Sequence, residues 1–144
     1  QDITGNVSYD PENHEHMCRL RAQKVANVAK SLPPTKINGP AKGDLLVLSW
    51  GGTYGACTTA VETAQAEGLS VAHVHLRHLN PFPNDLEGIL RSFKHVLIPE
   101  LNMGQLALLI RDKYLLDVVQ LNKIKGKPFA VAEVLNKIRE VIGS

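Results

Sequence analysis

A glycine-rich stretch between an apolar run and an alanine-rich segment has the clearest chemical pattern in this 144-residue sequence. Residues 51–55 read GGTYG and follow the run LLVLSW at residues 45–50. A glycine-rich turn between a strand and a helix can bring backbone amides close to a phosphate or carboxylate. The spacing is not GxGxxG, however, and the next predicted strand ends with His75 and Arg77 where a dinucleotide site needs an acidic residue. Two interpretations stay open, an anion site and a tight turn whose glycines allow close packing, and the pattern favours the turn.

Two histidines and an arginine alternate along the second predicted strand. His73, His75 and Arg77 are two residues apart, so their side chains point to one face of the sheet. A His-x-His pair can bind a metal ion, but no carboxylate or cysteine lies nearby in sequence as a third ligand. His14 and His16 fall in a separate predicted helix. We therefore interpret the three side chains as polar groups of an interface or a sheet edge, and we predict no metal site.

Two further loops follow predicted strands. Residues 79–84 read LNPFPN, and their two prolines make the loop a rigid connector or a shaped wall for a neighbouring domain. Residues 99–105 read PELNMGQ, and we interpret Glu100 as a structural carboxylate that caps amides, because no second acid or histidine accompanies it. The sequence has no nucleophile–base pair, Walker loop, HExxH helix or thiamine-type GDG…NN segment. The residues alone therefore predict no catalytic and no cofactor-binding site.

Strand-like and helix-like segments alternate along the part of the chain that must position these loops. The predicted strands are residues 45–50, 70–76, 96–99 and 117–121, and the predicted helices are residues 54–67, 84–93, 104–114 and 129–142. This order predicts an α/β domain with a mostly parallel sheet and helices on both faces, because each parallel pair of strands needs a crossover. Ligands or partners are then expected at the carboxyl ends of the strands.

The first part of the chain differs in composition. Residues 1–10 are polar and are interpreted as a linker, and Asp10 is expected to cap a helix that ends near residue 29. Three prolines and two glycines within residues 31–43 then interrupt regular structure. We predict a linker and helical arm at residues 1–42 and an α/β domain at residues 43–144.

Composition argues against several classes of protein. The 16 basic and 14 acidic residues are scattered, so nothing indicates a nucleic-acid partner. Cys18 and Cys57 lack the CxxC spacing of a zinc or iron–sulfur site, which favours a reduced, cytoplasmic setting. No apolar run reaches the roughly 18–20 residues of a membrane span, and no signal-peptide pattern is present. The start at Gln1 favours a piece that begins inside a longer protein over a processed chain.

Three segments resemble the α subunits of 2-oxoacid:ferredoxin oxidoreductases, most closely those of the 2-oxoglutarate type. They are WGGTYG at residues 50–55, HLRHLNPFP at residues 75–83 and PELNMGQL at residues 99–106. The resemblance extends over residues 4–129. It implies the C-terminal domain of the subunit, with the fold of the transketolase C-terminal domain. That fold is three-layered and has a twisted, mostly parallel sheet of about five strands, in which one edge strand can be antiparallel.

The resemblance implies a part of an enzyme, itself inactive, with a role in assembly. In this family thiamine diphosphate, with magnesium, lies between an earlier α-subunit domain and the β subunit, which also holds an iron–sulfur cluster. The implied reaction of the whole enzyme is oxidative decarboxylation of 2-oxoglutarate with coenzyme A, giving succinyl-CoA, carbon dioxide and reduced ferredoxin. The implied partners are the remaining α-subunit domains and the β subunit, with ferredoxin and coenzyme A for the whole enzyme. A homodimer is a further possibility.

Loops after three successive strands are expected to face the neighbouring domains. The predicted interface residues are Gly51, Gly52, Thr53, Tyr54, Arg77, Asn80, Pro81, Glu100, Asn102, Gly104 and Gln105. Two alternatives remain. One is a free-standing nucleotide- or anion-binding regulatory module that uses the turn at residues 51–55. The other is a transketolase-type subunit of a different thiamine enzyme, which the LNPFP and ELNMGQL segments fit less well.

Overall fold

The computed structural model describes residues 34–77, 79, 82–101, 105–123 and 128–143. The predicted N-terminal linker and helix lie outside these residues. So do four predicted interface residues, which are Asn80, Pro81, Asn102 and Gly104.

Strands and helices alternate through the described part of the chain. The strands are β1 (Gly43–Trp50), β2 (Val71–Leu76), β3 (Phe93–Leu101) and β4 (Val119–Lys123). The helices are α1 (Tyr54–Ala66), α2 (Leu86–Arg91), α3 (Gln105–Tyr114) and α4 (Val131–Gly143). All strand pairs are parallel, and the order across the sheet is β2-β1-β3-β4. The predicted α/β class and parallel sheet are confirmed.

Helices cover both faces of the sheet, as predicted. On one face α1 and α4 bury a cluster with Leu45, Val47 and Leu97 of the central strands. On the other face α2 and α3 pack against a cluster that includes Leu46 and Leu48. Central strands of a parallel sheet are buried on both faces, which explains the continuous apolar run in β1. No described helix is long and apolar enough to cross a membrane.

The described sheet has four strands, where the resemblance implied about five. A single antiparallel bridge takes the outer position beside β2. Asn38 N–H donates to the His73 carbonyl at 2.8 Å, and His73 N–H donates back to the Asn38 carbonyl at 3.0 Å. Pro40 has no amide hydrogen to donate to a longer ladder, and the Thr35 amide donates to the Asp85 carboxylate at 2.8 Å instead. The pairing therefore stays at one bridge.

The strand order reverses at β1, because the chain goes from β1 out to β2 and then crosses to β3 on the other side. Such a reversal leaves a crevice beyond the carboxyl ends of the two central strands. Pairing of β1 with β3 ends at Val47 and Leu97, whereas β3 stays paired with β4 up to Leu101. Pro99 lies just beyond this point and cannot donate to a ladder. The ends of β1 and β3 thus separate, and their last side chains can meet.

Candidate functional site at the carboxyl edge of the sheet

The glycine-rich sequence after β1 forms a one-turn 3₁₀ helix, Gly51–Thr53, that leads directly into α1. Gly51 has φ of +64°, a conformation that favours glycine over residues with a side chain. A Cβ placed on Gly51, Gly52 or Gly55 would meet no described atom within 4 Å. The predicted tight turn is confirmed, but close packing against described residues does not explain its glycines. They border open space, which leaves room for another backbone to approach.

Glu100 connects the ends of the two central strands to a helix. Its side chain is only 2% exposed. The Trp50 indole N–H donates to Oε1 at 3.0 Å, and the Leu106 and Ala107 amides donate to Oε1 at 2.5 Å and to Oε2 at 3.4 Å. A carboxylate at this end of α3 also balances the positive end of the helix dipole. The interpretation of Glu100 as a structural, amide-capping carboxylate is confirmed.

The described interface candidates fall into two groups by burial. Those exposed at the carboxyl edge of the sheet are Gly51, Gly52, Tyr54, Arg77 and Gln105. Thr53 and Glu100 are buried instead, and the Thr53 hydroxyl donates to the Trp50 carbonyl at 3.0 Å. The two buried side chains hold the loops in place, and the exposed ones form the surface that a partner could contact.

Three exposed leucines were not predicted from the sequence. Leu108 is 66% exposed and Leu109 is 43% exposed on α3, and Leu115, just after this helix, is 87% exposed with φ of +56°. A signal was present, because residues 106–110 are five consecutive apolar residues. One face of a helix cannot bury so many adjacent side chains. We call Leu108, Leu109 and Leu115 the leucine patch.

Side chains of the neighbouring strands β1 and β2 form a second polar cluster. The Ser49 hydroxyl oxygen is 2.7 Å from Nε2 of His73 and 2.8 Å from Nδ1 of His75. Ser49 is fully buried and His73 is 3% exposed. One hydroxyl proton can serve only one imidazole, so the other imidazole must donate its own N–H to the serine oxygen. The spacing of His73 and His75 grouped the two histidines correctly, but Ser49 was not predicted, because its only signal was a polar residue within an apolar run.

The surroundings keep both imidazoles neutral. Burial, followed by the repulsion that a protonated His75 would exert, lowers the pKa of His73 from 6.5 to about 4. Burial and the charge of Arg77 lower the pKa of His75 as well. Within the described ranges, no group of three His, Cys, Asp or Glu side chains is placed to hold a metal ion. The cluster is therefore a neutral hydrogen-bonding network near pH 7.

Fold comparison defines the class of protein. A split-gene transketolase in an inactive β4 tetramer superposes with a TM-score of 0.57 over 78% of this chain and 43% of that chain, at 16% identity. At this identity the likeness concerns the fold alone. The chain is therefore an α/β domain of transketolase-like fold, as the resemblance implied.

The chain belongs to the pyruvate:ferredoxin oxidoreductase core domain II family, which matches residues 43–134. It is 41% identical to the 2-oxoglutarate oxidoreductase subunit KorA of Mycobacterium tuberculosis over 140 residues, which are 96% of this chain and 21% of the relative. A solved 2-oxoglutarate:ferredoxin oxidoreductase from Magnetococcus marinus, with 2-oxoglutarate, coenzyme A and succinyl-CoA bound, matches with a TM-score of 0.81 and 31% identity. That match covers 96% of this chain and 25% of the other. The chain thus spans a fifth to a quarter of the length of these relatives, and the family resemblance is confirmed.

Proposed function

We propose that this chain is the C-terminal, non-catalytic assembly domain of the α subunit of a thiamine-diphosphate-dependent 2-oxoglutarate:ferredoxin oxidoreductase. The whole enzyme would convert 2-oxoglutarate and coenzyme A to succinyl-CoA and carbon dioxide while reducing ferredoxin, in the cytoplasm. Similarity to the KorA subunit over 96% of the chain supports the choice of enzyme. The observation that carries the assembly role is the exposed carboxyl edge of the sheet, which is held rigid from beneath.

Rigidity at this edge comes from Glu100. Its carboxylate accepts hydrogen bonds from the last residue of β1 and from the first turn of α3. Hydrogen bonds to a charged group are about twice as strong as neutral ones, so the three elements are held in one arrangement. Gly51 and Gly52 directly follow Trp50 in the chain and face open space. A preformed surface loses little conformational entropy when a partner docks on it.

The leucine patch supports contact with other parts of the enzyme. Its three side chains and Tyr54, which is 54% exposed, are the large apolar residues that the described chain leaves in solvent. Leu108 and Leu109 are neighbours on α3, and exposed apolar side chains that lie together usually mark an interface. We assign the occupant of this surface to the remaining domains of the α subunit and to the β subunit. A second copy of the chain is the competing occupant.

The cofactors of the whole enzyme would lie elsewhere. Burial raises the pKa of the Cys57 thiol to about 12, the opposite of what a thiolate ligand of an iron–sulfur cluster needs. The described residues also lack a three-ligand group for a metal ion such as magnesium. As the family resemblance implies, we assign thiamine diphosphate, magnesium and the iron–sulfur cluster to the rest of the α subunit and to the β subunit.

The test is assembly of the parent α subunit with its β subunit when the leucine patch carries a charge. Leu108→Asp and Leu115→Asp should each reduce the amount of β subunit that co-purifies and the thiamine diphosphate content of the eluate. Both leucines are already exposed, so the domain itself should stay folded. Ala132→Asp, at an exposed position of α4, is the matched control and should assemble normally. Full assembly of both leucine variants, measured by light scattering after size exclusion, would contradict the proposal.

A further inference from the structure

A polar cleft lies between α1 and the outer edge of β2, away from the crevice between β1 and β3. Its volume is about 680 Å³, within the range of small-molecule sites. Tyr54 and Thr58 line it from α1, His73, His75 and Arg77 from β2 and the loop after it, and Lys36 from the segment that bridges to β2. The proposed assembly role uses only Tyr54 and Arg77 of these residues.

Thr58 gives the first indication of a ligand. Its hydroxyl oxygen is buried and has no hydrogen-bond partner among the described residues. A threonine inside a helix commonly donates to the carbonyl four residues earlier, as Thr63 does to Thr59 at 2.9 Å. Buried hydroxyls without a partner are rare, and each one needs an explanation. Rotation of the Thr58 side chain about χ1 would turn this hydroxyl from its closed position to the cleft, where a ligand oxygen would supply the missing partner.

The charges in the cleft indicate the kind of ligand. Lys36 and Arg77 line it, and neither forms an ion pair with any residue in the described ranges. Glu62 is the one carboxylate in the lining. With both histidines neutral, the cleft has a net charge of about +1, which favours an anion.

The hydrogen bond with Ser49 allows His75 to donate a hydrogen bond to a ligand. Ser49 holds Nδ1 of His75, which leaves Nε2 as the ring nitrogen available to a ligand. If Ser49 donates its proton to this Nδ1, the proton of His75 resides on Nε2 and can be donated to an anion. The serine oxygen then accepts the N–H of His73, so each proton in the chain is used once. An oxyanion in the cleft would select this tautomer.

We propose that the cleft binds a small organic anion through phosphate or carboxylate oxygens. Lys36 and Arg77 supply the positive charge, and His75 and Thr58 supply hydrogen bonds. This inference goes beyond the assembly role and is tested separately from it, and Tyr54 and Arg77 are the two residues that the cleft shares with the assembly surface.

Calorimetric titration of the 144-residue chain at pH 7 and low salt tests the proposal, with inorganic pyrophosphate and citrate as separate probes. Arg77→Gln and Lys36→Gln should each weaken binding by about tenfold, as expected for loss of a charged hydrogen bond. Lys94→Gln removes an exposed charge at the start of β3, where Lys94 pairs with Asp44, and should leave the affinity unchanged. Binding of pyrophosphate alone identifies a phosphorylated ligand, and binding of citrate alone identifies a carboxylate ligand.

Thr58→Val separates a ligand site from a merely structural role. The change removes a hydroxyl that has no partner, so the free chain should be as stable as before or more stable, while the affinity for the probe falls. Circular dichroism checks that every variant is folded. No binding of either probe at 10 mM would overturn the proposal, and so would an equal loss of affinity in Lys94→Gln. Either result would leave the assembly proposal untouched.

Discussion

Glu100 offers the most direct perturbation of the carboxyl edge. Glu100→Ala removes the acceptor for the Trp50 indole N–H and for two amides of α3. Glu100→Gln keeps one side-chain oxygen, which can still accept from Trp50 and Leu106, but it loses the negative charge and puts an NH₂ donor where the Ala107 amide had its acceptor. The two substitutions therefore separate the loss of the bonds to Trp50 and Leu106 from the loss of the charge and of the weaker bond to Ala107.

The magnitudes follow from the burial of the site. Loss of an N-terminal cap costs about 0.5–2 kcal/mol, and a buried donor left without its acceptor costs about 1–3 kcal/mol. For Glu100→Ala we expect the free energy of unfolding to fall by about 2–4 kcal/mol. For Glu100→Gln the free energy of unfolding should fall by about 1–2 kcal/mol, because the charge–dipole interaction at the helix end and the weak acceptor of the Ala107 amide are both lost.

Urea denaturation measures both losses. Trp50 is the sole tryptophan of the chain, so its fluorescence reports directly on the indole that Glu100 holds. Far-UV circular dichroism follows the helices in the same samples. Glu87→Gln is the control, because Glu87 forms an exposed i,i+4 pair with Arg91 and should change stability by no more than about 0.5 kcal/mol.

The reasoning would be refuted if Glu100→Ala unfolded at the same urea concentration as Glu87→Gln. It would also be refuted if the emission maximum of Trp50 were the same in Glu100→Ala as in the unmodified chain. Either result would mean that the carboxylate does not hold the end of β1.

Three further predictions concern other residues. The pKa of His73 is lowered to about 4 in the folded chain, so folding disfavours protonation of this imidazole. The free energy of unfolding should therefore be at its full value above about pH 6.5 and should fall by about 3 kcal/mol as the pH is lowered to 4. Urea midpoints across this range should show the loss, and His73→Asn should flatten it. The pKa of Cys57 is raised to about 12, so in a Cys18→Ser background its thiol should resist a disulfide reagent at pH 8 until urea is added. Rapid labelling of the folded chain would contradict its burial. Gly51→Ala should cost about 1 kcal/mol in urea unfolding because of the positive φ, whereas Gly52→Ala should cost less. Equal effects would show that the turn does not require glycine at the first position.

Local pattern was enough to predict the layers of the fold. The apolar run at residues 45–50 and the alanine-rich segment after it gave β1 and α1, because burial on both faces and helical periodicity leave marks within a few residues. Turn chemistry likewise predicted the change of direction at Gly51. These features depend on neighbours in sequence.

Contacts between distant residues were harder to predict. The predicted helix at residues 84–93 is shorter, Leu86–Arg91, and Asp85 just before it makes no side-chain cap. Its carboxylate accepts hydrogen bonds from the Thr35 amide and hydroxyl instead, at 2.8 and 2.5 Å. β3 also begins at Phe93, three residues before the predicted start, since Phe93 aligns with Gly43 of β1. Such tertiary contacts override local preference.

The candidate site shows the same division. The sequence placed Glu100 in a loop as a capping carboxylate, but it did not reveal Trp50 as the partner, which is 50 residues earlier in the chain. Ser49 was missed because its histidine partners lie on a different strand and are brought close only by the register of β1 with β2. The leucine patch was visible only as a surplus of apolar residues in one helix.

We propose that the carboxyl edge of the sheet and the leucine patch are both buried when the α subunit assembles. A cryo-electron microscopy structure of the parent α subunit in complex with its β subunit tests it most directly. The account predicts that Gly51, Tyr54 and Leu108 are buried against another domain or subunit. Full solvent exposure of all three in the intact complex would contradict it.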